Sequence, residues 1–251
     1  MRALRLAACV LVTACGGGRP QSPPPTVELP VAAPIPSLRV REPEPALVTL
    51  PSPPPVDRRA LLDPSLATAR APEVFRARFT TTKGDFVVEV HRDWAPHGAD
   101  RFYNLVRIGF YDGTRFFRVI DGFMAQWGIS GEPAVSAAWR EARVPDDPVV
   151  HSNTRGTISF AKTSSPDTAT TQVFVNYRDN GQLDAMRFTP FGEVIEGMGA
   201  LDALYGGYGE GGAAAGQGPL QHTIEMAGDS YLEGFPKLDR IVHARIEDDG
   251  R

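Results

Sequence analysis

Cysteine is nearly missing from this sequence of 251 residues, since Cys9 and Cys15 are its only two and both lie near the N-terminus. Everything after residue 15 therefore has no disulfide framework, no cysteine nucleophile and no cysteine-based metal site. Long apolar runs are lacking too. No stretch of eighteen or more apolar residues follows the N-terminus, so we expect no membrane-spanning helix there.

A basic excess is also absent, because 26 lysines and arginines stand against 30 aspartates and glutamates. Nucleic-acid binding needs a clustered basic face, so we expect no nucleic-acid partner. The five histidines show no metal-ligand spacing, and we expect no metal site and no cofactor. Residues 207–212 fit the pattern G-x-G-x-x-G, but they follow a short predicted helix instead of a strand, which argues against dinucleotide binding.

The first residues predict a signal sequence that targets the protein to a membrane. Two arginines precede a short apolar segment, as in a signal peptide. Val-Thr-Ala-Cys at residues 12–15 resembles the lipobox of bacterial lipoproteins, which implies that residues 1–14 are removed and Cys15 is lipidated. An ordinary cleaved secretory signal is the alternative. The lipoprotein interpretation predicts anchoring to a membrane of the cell envelope, on the periplasmic side, and Gly16 favours the outer membrane.

Proline dominates the next part of the chain. Residues 15–72 contain segments such as "RPQSPPPTVELPVAAPIP", whose composition favours extended polyproline conformations and cannot bury a core. We therefore predict a disordered, semi-rigid spacer, with a ligand for proline-recognising domains as the alternative. The composition changes at Glu73, and residues 73–251 are predicted to form one folded domain.

Hydrophobic periodicity predicts a mainly β domain. Apolar and polar residues alternate on both sides of Lys83-Gly84, which indicates a hairpin. A helix should begin at Pro96 and end at Gly109. The other predicted elements are strands at 115–120, 123–127, 157–161, 172–176, 190–195 and 238–247, and a short helix at 198–204. Many short antiparallel strands with two helices favour a closed β-barrel capped by α-helices.

Three polar residues, Arg118, Asp121 and Gln126, interrupt the mostly apolar run "RFFRVIDGFMAQWG" at residues 115–128. As a strand, it places Arg118 on one face with Phe116 and Ile120. If the other face packs into the barrel, Arg118 lies among apolar residues on an outward groove, and Gln126 follows nearby. The alternative is that Arg118 only covers neighbouring apolar groups with its aliphatic stem.

Three segments in order, "FFRVIDGFMAQWG", "SFAKTSSPDTATTQVF" and "QLDAMRFTPFGEVIEGM", resemble the cyclophilin family of peptidyl-prolyl cis-trans isomerases. The resemblance covers residues 75–246 and implies an eight-stranded barrel with a proline-binding groove on its outer wall. It implies catalytic roles for Arg118 and Gln126. The substrate-binding residues that it implies are Phe123, Met124, Ala161, Gln172, Phe174, Leu183 and Phe188.

The resemblance further implies a monomeric isomerase that acts on proline-containing unfolded or flexible polypeptides, here exported ones. Several positions depart from the family pattern. Lys162 replaces an asparagine, Asp121 replaces a proline, Gln182 stands where a tryptophan is common, and the loop at 163–171 is one residue longer. A non-catalytic module that binds proline-containing segments is therefore the alternative function.

Overall fold

The computed structural model of the protein describes residues 58–211 and 217–247. The predicted signal peptide, Cys15 and most of the predicted spacer lie outside these residues, and so does Gly212 of the G-x-G-x-x-G segment. Within the described ranges, no helix is long and apolar enough to cross a membrane.

Eight antiparallel strands form one sheet. They are β1 (Val74–Thr81), β2 (Gly84–His91), β3 (Arg118–Ile120), β4 (Met124–Trp127), β5 (Thr157–Phe160), β6 (Val173–Asn176), β7 (Pro190–Glu196) and β8 (Ile241–Glu247). Their order across the sheet is β3-β4-β6-β5-β7-β2-β1-β8. The predicted hairpin is present, because β1 and β2 pair from Val74 opposite His91 to Thr81 opposite Gly84.

The sheet is an open, curled half-barrel. Strands β3 and β8 stand at its two ends, and an isolated bridge between Arg115 and Arg240 joins the segments beside them. The mainly β, eight-stranded and antiparallel prediction is therefore confirmed. The predicted closed barrel is not formed by the described residues. Strand β3 is only three residues long and offers little backbone for pairing across the gap.

Six helices accompany the sheet within the described ranges, and the sequence predicted two of them. The predicted ones are α2 (Pro96–Arg107) and α4 (Met198–Asp202). The others are α1 (Arg58–Leu62), α3 (Pro133–Trp139), α5 (Gln221–Ala227) and α6 (Asp229–Leu232). These additional helices have only four to seven residues, too few for a clear hydrophobic period. Helix α5 and Arg140, which directly follows α3, contribute to the lining of the cavity described below.

The concave face of the sheet and helix α2 enclose an aromatic core. The rings of Phe79 and Phe86 stack with their centroids 4.8 Å apart, and the Trp127 ring meets both of them edge-on. Phe116 is fully buried in the same core, so the predicted outward position beside Arg118 is wrong for this residue. Strand β3 begins only at Arg118, and the alternation does not extend back to Phe116.

Part of the predicted spacer packs on the domain. Ala60 and Leu61 in α1 and Ala71 after it are buried, and the Leu61 carbonyl accepts a hydrogen bond of 2.9 Å from the Trp139 indole. The Asn104 side chain accepts a hydrogen bond from the Ala69 backbone N–H and donates one to the Ala69 carbonyl. Residues 58–71 thus belong with the folded domain, although the sequence assigned them to the spacer.

Candidate active site

Strand register brings three predicted site residues into one row. Arg118 on β3 lies directly opposite Gln126 on β4, and Gln126 lies opposite Phe174 on β6. Residues directly opposite one another project to the same face of a sheet. The row faces away from the aromatic core, which gives Arg118 and Gln126 the outward groove expected from the sequence.

A cavity of about 360 Å³ opens over this row. All nine predicted catalytic and substrate-binding residues line it: Arg118, Phe123, Met124, Gln126, Ala161, Gln172, Phe174, Leu183 and Phe188. The structure thus brings together residues spread over about seventy positions of the chain. The remaining lining comes from Arg140, Lys162, Thr163, Thr168, Thr170, Gln221 and Glu225.

The floor of the cavity is apolar. Met124, Phe174 and Leu183 are buried against one another and form a cluster separate from the aromatic core. Phe123 and Phe188 are half-buried beside them, and Phe188 meets Phe174 edge-on with centroids 5.7 Å apart. A small apolar ring can therefore be held here, between two aromatic side chains.

A chain of hydrogen bonds crosses the rim of this apolar cluster. Arg118 donates from Nη1 to Gln126 Oε1 at 3.0 Å, and Gln126 donates from Nε2 to Gln172 Oε1 at 2.9 Å. Because Gln172 accepts through Oε1, its Nε2 group remains a donor, and it has no acceptor among the described residues. The Arg118 guanidinium also lies over the Phe123 ring, 5.8 Å from its centroid. The polar rim therefore offers N–H donors toward the apolar floor.

A carboxylate that sequence reasoning missed binds the same guanidinium. Arg118 donates from Nη2 to Glu210 Oε2 at 2.7 Å, and Arg118 Nε lies 2.6 Å from Glu210 Oε1. Glu210 belongs to the glycine-rich segment considered and rejected as a dinucleotide motif. Its charge stands 92 positions after Arg118, and nothing local in the sequence predicts that contact.

Lys162, which replaces an asparagine of the family pattern, is turned toward a carboxylate. Its ammonium lies 2.5 Å from Asp146 Oδ2, and the two side chains are only 6% and 10% exposed. The ammonium is also 5.9 Å from the Phe188 ring. Asp167, from the longer loop, accepts a hydrogen bond of 2.6 Å from the Asp146 backbone. Lys162 thus joins two loops at the cavity wall.

Three buried asparagines support the wall from below, and sequence reasoning missed them as well. Asn153 donates to the Phe188 carbonyl at 2.7 Å, and Asn180 donates to the Phe123 carbonyl at 2.9 Å. Asn176 connects the two by donating to Asn153 and accepting from Asn180. The sequence shows these asparagines only as polar residues close to predicted strands, and such a pattern is equally typical of turns.

Asp184 fixes the turn that carries Leu183. It accepts hydrogen bonds from the Ser152 hydroxyl at 2.5 Å and from the Asn153 side chain at 2.7 Å. Although burial opposes ionisation, these hydrogen bonds hold the pKa of Asp184 below its ordinary value of 3.8. Gln182 and Asp121 are exposed and do not line the cavity, so these two departures leave its interior unchanged.

Comparisons with known proteins agree with this geometry. A family model described as cyclophilin type peptidyl-prolyl cis-trans isomerase/CLD matches residues 76–227. A peptidyl-prolyl cis-trans isomerase of Acinetobacter baylyi is 38% identical over 129 residues, covering 49% of this chain and 68% of the relative. Peptidyl-prolyl cis-trans isomerase B of Escherichia coli is 35% identical over 141 residues, covering 51% of this chain and 82% of the relative.

Solved structures show the same fold. A cyclophilin type peptidyl-prolyl cis-trans isomerase of Cryptosporidium parvum superposes with a TM-score of 0.53 at 22% identity, over 70% of this chain and 99% of that chain. A crystal structure of that protein in the presence of the dipeptide Ala-Pro superposes with a TM-score of 0.51.

Proposed function

The chain belongs to the cyclophilin-type peptidyl-prolyl cis-trans isomerases, and from this premise we propose that it isomerises Xaa-Pro bonds in its cavity by non-covalent catalysis through Arg118. Exported polypeptides in unfolded or flexible states are the proposed substrates. The observation that carries the proposal is the register of Arg118, Gln126 and Phe174 on three adjacent strands. This register places the cationic donor Arg118 beside the apolar floor.

The reaction needs only rotation. Peptide resonance opposes it with a barrier of about 18 to 20 kcal/mol, and at proline the uncatalysed exchange takes tens of seconds or more. No bond is made or broken, so neither a nucleophile nor a metal is required. In the twisted state the proline nitrogen regains its lone pair and becomes a better hydrogen-bond acceptor. A guanidinium beside it therefore stabilises the transition state more than the ground state.

Arg118 alone supplies only part of the acceleration. A hydrogen bond to a charged group contributes about 1.5 to 3 kcal/mol, and each tenfold rate gain needs about 1.4 kcal/mol, so the arginine accounts for roughly one to two decades. The remainder comes from positioning. The apolar floor of Met124, Phe174 and Leu183 holds the proline ring, while Gln126 and Gln172 hold the chain on the other side of the rotating bond.

Arg118→Ala tests this role. We expect the variant to fold normally and to lose at least tenfold in kcat/KM in a protease-coupled prolyl-peptide assay. Arg140→Ala is the matched control, because Arg140 lines the same cavity from the position directly after α3, away from Arg118, and pairs loosely with Glu225 at 4.0 Å. We expect that control to stay within about twofold of wild type. Equal rates for Arg118→Ala and wild type would contradict the proposal.

A non-catalytic module that binds proline-containing segments is the second candidate function. The observation in its favour is the ion pair with Glu210, which occupies part of the Arg118 guanidinium. The two functions differ in turnover. NMR exchange between cis and trans signals of a proline peptide should be accelerated by the isomerase, whereas a binding module would shift those signals without accelerating exchange.

Lipid anchoring of the mature chain at Cys15 completes the proposal, with the domain in the cell envelope, facing the periplasm and held at the outer membrane. The lipobox-like residues 12–15 support it, and they lie outside the described residues. An isomerase that needs no cofactor or ATP can work there. We expect the full chain to partition into the detergent phase of a phase-separation assay and Cys15→Ser to stay in the aqueous phase. An aqueous full chain would contradict the anchor.

A further inference from the structure

Glu210 holds one edge of the proposed catalytic guanidinium. Its two carboxylate oxygens face the Nε and Nη2 of Arg118, at 2.6 Å and 2.7 Å. Arg118 is 23% exposed and Glu210 35% exposed, so the pair is partly shielded from solvent. The Nη2 contact is a hydrogen bond, whereas the Nε contact is an ion pair without hydrogen-bond geometry. Glu210 therefore restrains this edge of the guanidinium by charge and by one hydrogen bond.

Gln126 holds the other side of the same guanidinium. It accepts from Nη1, and the pairing of β3 with β4 fixes it directly opposite Arg118. An arginine carries five N–H donors. Nη1 donates to Gln126 and also lies 4.0 Å from the Met124 sulfur, and Nη2 donates to Glu210. Nε lies beside Glu210 Oε1 as an ion pair but makes no hydrogen bond. The second hydrogen of Nη2 has no partner among the described residues, and it is the one available to a substrate.

Glu210 approaches Arg118 from outside the apolar cavity. It lines a neighbouring cavity of about 220 Å³ together with Phe117, Gly211, Pro219, Leu220 and Gln221, and it does not line the cavity over the apolar floor. Arg118 is common to both cavities. The carboxylate therefore supports the guanidinium from behind and leaves the space beside Phe174 and Leu183 open.

The backbone around Glu210 is itself fixed. The Glu210 carbonyl accepts a hydrogen bond of 3.1 Å from Gly218, and Gly211 and Gly218 form a bridge. A side chain at Gly211 would come within 2.4 Å of the Pro219 carbonyl oxygen, so the glycine is required for this close approach. Tyr208 anchors the segment by packing on Phe235 with ring centroids 5.4 Å apart.

We propose that Glu210 is the positioning residue of the active site, which orients the Arg118 guanidinium so that the free hydrogen of Nη2 meets the proline nitrogen. This inference rests on the catalytic role proposed for Arg118. Since the proline pocket is untouched by Glu210, its removal should lower kcat and leave KM nearly unchanged. A glutamine at this position keeps one acceptor oxygen and should retain part of the rate.

The test combines single and double variants. We expect Glu210→Ala to lower kcat about tenfold and Glu210→Gln to lower it less, each with KM within about twofold of wild type. In an Arg118→Ala background, Glu210→Ala should cause no further loss, because it acts through Arg118. Asp202→Ala is the matched control, because Asp202 holds Arg155 through both carboxylate oxygens, at 3.0 Å and 2.7 Å, and lines neither cavity. It should leave kcat within twofold.

NMR of the arginine side chain gives a readout that does not depend on turnover. The Arg118 Nε–H signal should shift and broaden in Glu210→Ala, while the backbone amides of β4 and β6 stay in place. An unchanged Nε–H signal would overturn the inference.

The kinetic outcomes separate this inference from the proposed function. A slow Arg118→Ala with a fully active or faster Glu210→Ala would overturn the inference alone, and a faster variant would mean that the carboxylate restrains the enzyme. An equal loss in the Arg118→Ala background would also overturn it, since Glu210 would then act elsewhere. A fully active Arg118→Ala would overturn both.

Discussion

The two walls of the cavity are held by different forces. One wall, here called the strand wall, carries Arg118, Gln126 and Phe174 on β3, β4 and β6, where each residue is fixed by the backbone ladder of adjacent strands. The opposite wall, here called the loop wall, carries Lys162 and the turn from Leu183 to Phe188, between strands. Side-chain hydrogen bonds and an ion pair hold the loop wall in place.

This difference predicts separate vulnerabilities. A backbone ladder survives most side-chain changes, because its hydrogen bonds come from groups that every residue except proline carries. The loop wall depends on a few polar side chains away from water, and each loses stability when its partner is removed. Variants that break the loop wall should therefore alter substrate binding while the strand wall keeps its geometry.

The largest effect is expected from the ion pair of the loop wall. Lys162→Met leaves Asp146 buried and unpaired, and removing one partner of a buried pair costs roughly 3 to 5 kcal/mol in the free energy of unfolding. Chemical denaturation measures this loss. Adding Asp146→Leu should recover most of it, because the double variant no longer buries a charge.

An exposed pair provides the control for this variant. Arg143 and Glu141 are 58% and 75% exposed, and Arg143→Met should change the free energy of unfolding by less than about 1 kcal/mol. If Lys162→Met proved as mild as Arg143→Met, the buried ion pair would not be what holds the loop wall.

The strand wall was predictable from sequence, and the reason is physical. Alternation marks each strand, and the family motifs around Arg118, Gln126 and Phe174 fall on strands whose register then decides the contacts. The predicted members of the loop wall, Leu183 and Phe188, also line the cavity. Their supports were not predicted. Asn153 and Asn180 act through carbonyl groups of other segments, and such contacts leave no local pattern.

Three further differences have the same origin. Predictions from local sequence patterns failed where contacts between distant parts of the chain determine the structure. Phe116 shares the sequence alternation of Arg118 and Ile120, but it lies before the start of β3 and its side chain is in the core. Residues 58–71 look like spacer yet pack on α3 and α2 through Leu61 and Ala69. Glu210 sits in a segment whose glycines suggested a different motif, and only the fold brings it to Arg118.

A smaller effect, confined to the loop wall, is expected from pH. The folded-state pKa of Asp184 is lower than its ordinary value of 3.8. Its ionised form thus adds stability above that value, and this stability is lost as the pH falls through the lower folded pKa. Protonation weakens the hydrogen bonds from Ser152 and Asn153, so the turn carrying Leu183 should loosen first.

An NMR titration below pH 4 resolves whether the two walls respond separately. The backbone amides of Leu183 and Phe188 should shift together as Asp184 takes up its proton. Those of Ala125 and Val175, which face the core on β4 and β6, should stay in place, because the β4–β6 ladder contains no titrating group. Asp184→Asn should abolish the joint shift at every pH. If strand and loop amides moved together in both proteins, the acid transition would belong to the whole domain, and the walls would not be independent.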